Sequence, residues 1–253
     1  MKYSLRDLIY IVRQFGLDPI RMAYGLKMSP RFMKDLMSFK RHGGRVDLIL
    51  PALHDLHDNG GTAKGHYFWQ DLICAQWVAA DNPVDHFDIG SRLDGFIAHV
   101  ASFREVLQLD IRPNKVTIPN VKFLQGDAQD NLREFANSFD SVSCLHSVEH
   151  FGLGRYGDTL QIDGHKIGMI NIASCVKRGG YLYLSFPIGE SSVQFNSQRV
   201  IDPKLPIELL SNFELLDFVL IPWVNPPVYG THPLDTDLKI KGNAGLYKFR
   251  RIN

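Results

Sequence analysis

From residue 84 onward, short apolar runs alternate with stretches of helical period, and this alternation constrains the fold more than any other feature. The runs 84–89 (VDHFDI), 105–111 (EVLQLDI), 121–126 (VKFLQG), 139–146 (FDSVSCLH) and 180–187 (GYLYLSFP) have the length of strands. Between them, 93–103, 129–138 and 165–177 carry helical spacing. Strands that alternate with helices at this interval imply βαβ units and a doubly wound, mostly parallel sheet. Two later runs, 213–221 and 245–252, flank a Pro-rich segment without a helical pattern, so the last strand is expected to return antiparallel.

Residues 1–80 read differently, as a helical N-terminal extension or lid ahead of an α/β domain over 81–253. Leu5, Leu8, Ile9 and Val12 repeat at helical spacing, Pro30 sits where a helix over 30–40 would begin, and a further helix is expected over 67–80. His42-Gly43-Gly44 and Asn59-Gly60-Gly61 are turn signals between them. The apolar start is broken by Arg6, Asp7 and Arg13, which fits neither a signal peptide nor a membrane span. A formal net charge of +1 sets up no field that would favour nucleic acid or an anionic membrane. Cys74, Cys144 and Cys175 are odd in number and form no CxxC pair, so a reducing, cytoplasmic setting is expected, with a homodimer compatible.

In an open parallel sheet, ligands bind beyond the carboxyl ends of the strands, so the polar residues there are the informative ones. The first strand ends in Asp88-Ile-Gly90-Ser91-Arg92, where Gly90 lets the backbone turn sharply toward a ligand. The second ends in Asp110-Ile111, with a carboxylate suited to a pair of ribose hydroxyls. The third ends in Gly126-Asp127-Ala128, where a carboxylate could accept from an exocyclic amine. The fourth runs into His146-Ser147-Val148-Glu149-His150 and then a Gly-rich stretch carrying Arg155, Tyr156 and Asp158.

This arrangement resembles the class I S-adenosylmethionine-dependent methyltransferases. The resemblance implies a Rossmann-like, seven-stranded sheet with an antiparallel final strand, and S-adenosylmethionine as cofactor. Asp88 and Gly90 match the family's first loop, although Arg92 stands where a second glycine is usual, as a contact for the cofactor's carboxylate. Asp110 matches the ribose-binding acid, Asp127 with Ala128 the adenine-binding turn, and Val148-Glu149-His150 the triplet after strand four of small-molecule methyltransferases. Tyr67 and Gln70 precede the first strand, where a helix would cover the cofactor. More narrowly, 87–103 and 148–158 resemble a bacterial methyltransferase-like group of unknown function, associated with surface-polysaccharide loci.

The expected activity is methylation of a small molecule or glycan precursor, with oxygen favoured over nitrogen. The Asn-Pro-Pro-Tyr-type signature of amino-group methyltransferases is absent after strand four. His150 and His146 are the candidate bases, since neutral imidazole titrates near physiological pH. Glu149, Arg155 and Tyr156 complete the candidate acceptor side: Arg grips anions and Tyr stacks on rings. The competing view of the loop is that Arg155 merely pairs with Asp158. No metal is expected, because His146-Ser-Val-Glu149-His150 matches a zinc motif only formally, with His146 at the end of a strand-like run. Two rivals remain: a non-catalytic, cofactor-binding regulatory subunit of the same fold, and an NAD-dependent oxidoreductase, whose G-x-G-x-x-G loop this chain lacks.

Overall fold

A computed structural model describes residues 5–57, 63–130 and 132–253 of the chain. The chain divides into two compact units, 1–62 and 63–253. The division falls well before residue 80, which places the helix expected over 67–80 with the sheet. The turn signal at Asn59-Gly60-Gly61 lies outside the described residues.

The first unit contains α1 (Leu5–Gln14) and α2 (Pro19–Arg41). Asp18 caps α2 by accepting from the Arg21 amide at 3.0 Å, with Pro19 directly behind it. Pro30, expected to open a helix, lies inside α2. Pro19 and the Asp18 cap make the stronger start, so the helix runs through the later proline at the cost of one backbone hydrogen bond. The following segment is tied back through His54, whose Nε2 donates to the Arg21 carbonyl at 3.0 Å.

The second unit is a seven-stranded sheet with helices on both faces. Its elements are α3 (Gly65–Asp81), β1 (His86–Ile89), α4 (Ala98–Ala101), β2 (Val106–Asp110), β3 (Val121–Gln125), β4 (Phe139–Leu145), α5 (Gly164–Ser174), β5 (Val176–Ile188), β6 (Ser192–Gln194), β7 (Gln198–Val200), α6 (Leu205–Leu209), β8 (Phe213–Pro222) and β9 (Asn243–Arg251). The sheet order is β3-β2-β1-β4-β5-β9-β8. The first five of these strands pair in parallel, and β9 lies antiparallel to both β5 and β8. Between β8 and β9 stands only one 3-10 turn, Pro233–Asp235, so the chain has no crossover helix and returns antiparallel as expected.

Side chains alternate across the sheet and feed two cores. On one face, Phe87, Val142, Leu182, Leu184 and Phe186 pack with Met169 and Ile172 of α5. On the other, Tyr183, Leu145 and Val106 meet Ile73, Cys74 and Val78 of α3 and Phe96, Ile97 and Val100 near α4. α3 is therefore a core helix of the sheet unit. His86, fully buried in β1, bridges the hydroxyls of Ser141 and Ser143 at 2.7 and 3.0 Å.

Three helices depart from expectation. The stretch 93–103 opens with a π-turn at Leu93–Ile97, broken at Gly95, before α4. The helix expected over 129–138 is reduced to a 3-10 turn at Arg133–Phe135. Asn171 of α5 donates to the carbonyls of Ala128, Gln129 and Asp130, the acceptors that a first helical turn would have used. The helix expected to reach 177 stops at Ser174, since Val176 already pairs with Phe139 in the sheet. The hairpin β6–β7 and the short α6 carry no periodic pattern long enough to read from sequence.

Candidate functional site

Strand order reverses between β1 and β4, and a cavity of about 200 Å³ opens there, at the carboxyl ends of β1 to β4. Gly90, Arg92, Asp110, Ile111, Gly126, Asp127, Ala128, His146, His150, Arg155, Tyr156 and Tyr67 all line it, so twelve residues singled out in the sequence converge on one site. Arg112, Ser147, Phe151 and Asp158 join them without having been singled out as binding residues.

The floor of the cavity is the turn after β1. Gly90 has φ +71°, and its amide donates to the Leu109 carbonyl at 2.8 Å, drawing the loop onto β2. A Cβ at this position would collide with Ser147 Oγ. Asp88 and Ser91, expected at the cofactor, lie beneath the loop instead. Asp88 is fully buried and accepts from the Ser91 amide (3.0 Å), Ser91 Oγ (2.5 Å) and Ser143 Oγ (2.6 Å). Ser91 Oγ in turn accepts from the Leu145 amide at 3.1 Å. Burial pushes the Asp88 carboxyl up to about 7, against the pull of the Ser143 and Ser91 hydrogen bonds. Gln70 also stays outside the cavity, turned into the protein where its Nε2 donates to Asp71 at 3.1 Å.

The rim carries the carboxylates. Asp110 is not free: Arg112 donates to it from its amide (2.8 Å), Nε (2.9 Å) and Nη2 (2.6 Å). A carboxylate offers about four lone-pair sites, so a diol can be accepted in full only when the Arg112 fork swings away. Half-exposed Arg112 lies 4.8 Å above the Tyr156 ring, and Arg155 lies 5.1 Å from the same ring. Asp127 accepts from the Gln129 amide at 2.9 Å. Arg92 spends its fork on Asp94 at 3.0 and 2.6 Å and lies 4.8 Å over the Tyr67 ring, so its expected contact to a cofactor carboxylate would need that pair to open.

The segment after β4 forms the far wall. His146 takes a left-handed backbone, φ +48°, and its amide donates to the Ser185 carbonyl at 2.7 Å. Its Nδ1 donates to the buried Glu149 carboxylate at 2.8 Å. Despite burial, the neighbouring imidazoles of His146 and His150 and the His146 hydrogen bond hold Glu149 below the usual carboxylate range. His66 stacks on His146 at 5.2 Å and donates through Nε2 to the Gly242 carbonyl at 3.0 Å, while burial drives its pKa down to about 4. His150 donates through Nδ1 to the Ser197 carbonyl at 2.7 Å, and burial lowers its pKa as well. Val148–His150 is one 3-10 turn, not the α-helix that the zinc motif requires.

Arg155 does not pair with Asp158. It donates to the Ser197 carbonyl at 2.8 Å, and Asp158 collects the amides of Gly152 (2.8 Å), Gly154 (3.0 Å) and Tyr156 (3.1 Å). The Gly-rich stretch is thereby folded around one carboxylate, and Arg199 of β7 braces it through the carbonyls of Phe151, Gln161 and Ile162.

The profile of a family described as a Caenorhabditis protein of unknown function, DUF268, matches residues 100–219. No curated protein matches the chain. Among solved structures, the 1,6-didemethyltoxoflavin-N1-methyltransferase of Burkholderia thailandensis, bound to 1,6-didemethyltoxoflavin and S-adenosylhomocysteine, aligns over 90% of this chain and 91% of its own with a TM-score of 0.52 at 12% identity. The fold is the Rossmann-like methyltransferase fold. A putative methyltransferase from Bacillus halodurans shares this methyltransferase fold with a TM-score of 0.50 at 15% identity, over 73% of this chain and all of its own. The cavity lies at the β1/β4 switch, the position at which open, doubly wound sheets bind ligands.

Because Arg112 competes for Asp110, Arg112→Gln is expected to free that carboxylate and tighten binding of a diol-bearing ligand by about threefold, the scale of a part-exposed ion pair. Calorimetry with S-adenosylhomocysteine reads this directly; weaker binding would mean that Arg112 holds the ligand itself.

Proposed function

We propose that the chain is a cytoplasmic, S-adenosylmethionine-dependent methyltransferase acting on a hydroxyl group of a small molecule, a glycan precursor among the acceptors to try. The observation that carries this reading is a cavity floored by Gly90 and rimmed by carboxylates at the ends of both β2 and β3. The donor set suits an adenosyl group: Asp110 for the ribose hydroxyls, Asp127 with Ala128 for the adenine edge, and the side-chain-free turn at Gly90 for the methionine portion. Ile111 and Leu109 supply apolar cover. When bound, such a cofactor supplies an electrophilic methyl carbon on a positively charged sulfur. Transfer from it is an in-line displacement, so the work of the protein is to align the acceptor and exclude water.

The Burkholderia structure, which holds both a small heterocycle and S-adenosylhomocysteine, supports a small acceptor by likeness of fold. A glycan precursor rests on the resemblance to a bacterial group found at surface-polysaccharide loci. The test is transfer of a labelled methyl group from S-adenosylmethionine into fractionated cell extract. Label is expected in the small-molecule fraction; label confined to protein or nucleic acid would contradict the proposed acceptor class.

A further inference from the structure

A second cavity, of about 640 Å³, lies beyond the far wall of the first, and the two share Tyr67 and His146. It is bounded by the β5 end, the β6–β7 hairpin and the segment before β9, with Trp223, Glu190, Gln194, Gln198 and Asn243 among its lining residues. This volume accommodates a drug-sized molecule, and the mix of an indole with carboxamide and carboxylate groups suits one that is both ringed and polar. Of the two side chains on the shared wall, His146 carries the basic group, and it is nine-tenths buried. Its Nδ1–H is committed to Glu149, and its Nε2 has no hydrogen-bond partner among the described residues. A buried polar atom is rarely left unpaired without a role. The carboxylate acceptor fixes the proton on Nδ1 and leaves a lone pair on Nε2.

The geometry points to His146 Nε2 as the catalytic base for a hydroxyl acceptor held in the second cavity, with Glu149 as its positioning residue. The inference rests on the methyltransferase reading and adds the acceptor's side and chemistry to it. An oxygen lone pair of the acceptor forms the bond to the methyl carbon as the carbon–sulfur bond breaks with its electron pair left on sulfur. The hydroxyl proton passes to Nε2, so the positive charge lost at sulfur reappears as an imidazolium beside Glu149. An alcohol needs this proton removed, whereas a carboxylate or phosphate oxygen would not. His150 is less suited, because it lines the first cavity and not the second, and its Nε2 stands 3.8 Å from the Glu149 carboxylate.

The test follows transfer of a labelled methyl group from S-adenosylmethionine into the small-molecule fraction of cell extract, with S-adenosylhomocysteine binding to the full chain read by calorimetry. His146→Gln is expected to slow transfer by about a hundredfold beyond any loss of S-adenosylhomocysteine affinity, the scale of a general base. Glu149→Gln is expected to slow it as well and Glu149→Asp to restore part of the rate, which a carboxylate that merely braces the fold would not do. Transfer by His146→Gln at the wild-type rate, with S-adenosylhomocysteine bound, would overturn this inference and leave the methyltransferase reading standing. Failure of the wild-type chain to bind S-adenosylhomocysteine would overturn both. Recovery of the labelled methyl on oxygen supports the assignment, and recovery on nitrogen overturns it.

Discussion

Gly90→Val is expected to weaken S-adenosylhomocysteine binding by more than about a hundredfold. Two independent obstacles act at this position. The backbone stands at φ +71°, a conformation that costs a β-branched residue on the order of 1–2 kcal/mol or more. The added Cβ also meets Ser147 Oγ and stands 3.0 Å from Ser147 Cβ, so swinging the hydroxyl away still leaves it tight against the segment that carries His146 and Glu149. Relief by displacing the turn would break the Gly90 amide bond to Leu109 and shift the cavity floor. Calorimetry checks the affinity, and Gly179→Ala is the comparison: Gly179 has φ +79° but nothing near its would-be Cβ and no place in the cavity. That variant is expected to lose about 1 kcal/mol of stability and bind normally. Normal binding by Gly90→Val would show that the turn after β1 does not shape the ligand site.

Asp88→Ala is expected to act on the fold itself, costing about 3 kcal/mol near pH 5 and lowering the melting temperature by roughly 10 °C. The substitution leaves the Ser91 amide and the Ser143 hydroxyl buried without their acceptor, and it unties the loop from β4. The cost depends on pH with a definite sign. The folded carboxyl titrates at about 7, well above the 3.8 of a free aspartate, so across that window the folded state holds a proton that the unfolded state has released. Stability contributed by Asp88 is therefore fully present below about pH 4, falls as pH rises through about 7, and is constant above. The gap between wild type and Asp88→Ala should narrow over that range. Chemical denaturation at several pH values measures it; a gap that widens with pH would mean that the carboxylate is better held when charged.

Much of this architecture is legible in the sequence because it rests on local patterns. Each strand of the seven is a run of apolar residues bounded by a turn signal, and the antiparallel return of β9 follows from a segment too poor in helical pattern to make a crossover. The strand ends are legible for the same reason: Gly90 and Asp127 stand just past an apolar run, and Asp110 closes β2. What is not legible is who holds whom. Asp88 and Asp110 look alike in sequence, yet Asp88 is turned under the loop by Ser143, 55 positions away. Arg112, two residues from Asp110, gives no periodic signal that it will claim that carboxylate. The helix expected over 129–138 fails because Asn171, in a distant helix, takes its first carbonyls. The free Nε2 of His146 likewise depends on Glu149 being buried with it, a matter of packing that spacing alone does not reveal.

Titration of the full chain with S-adenosylhomocysteine, with NAD for comparison and Asp110→Ala alongside, tests the proposal that the cavity between β1 and β4 holds an adenosyl cofactor through the carboxylate at the end of β2. Micromolar binding of S-adenosylhomocysteine is expected, none of NAD, and loss of binding in Asp110→Ala with its melting curve intact. A folded chain that ignores S-adenosylhomocysteine, or that binds NAD in its place, would contradict it.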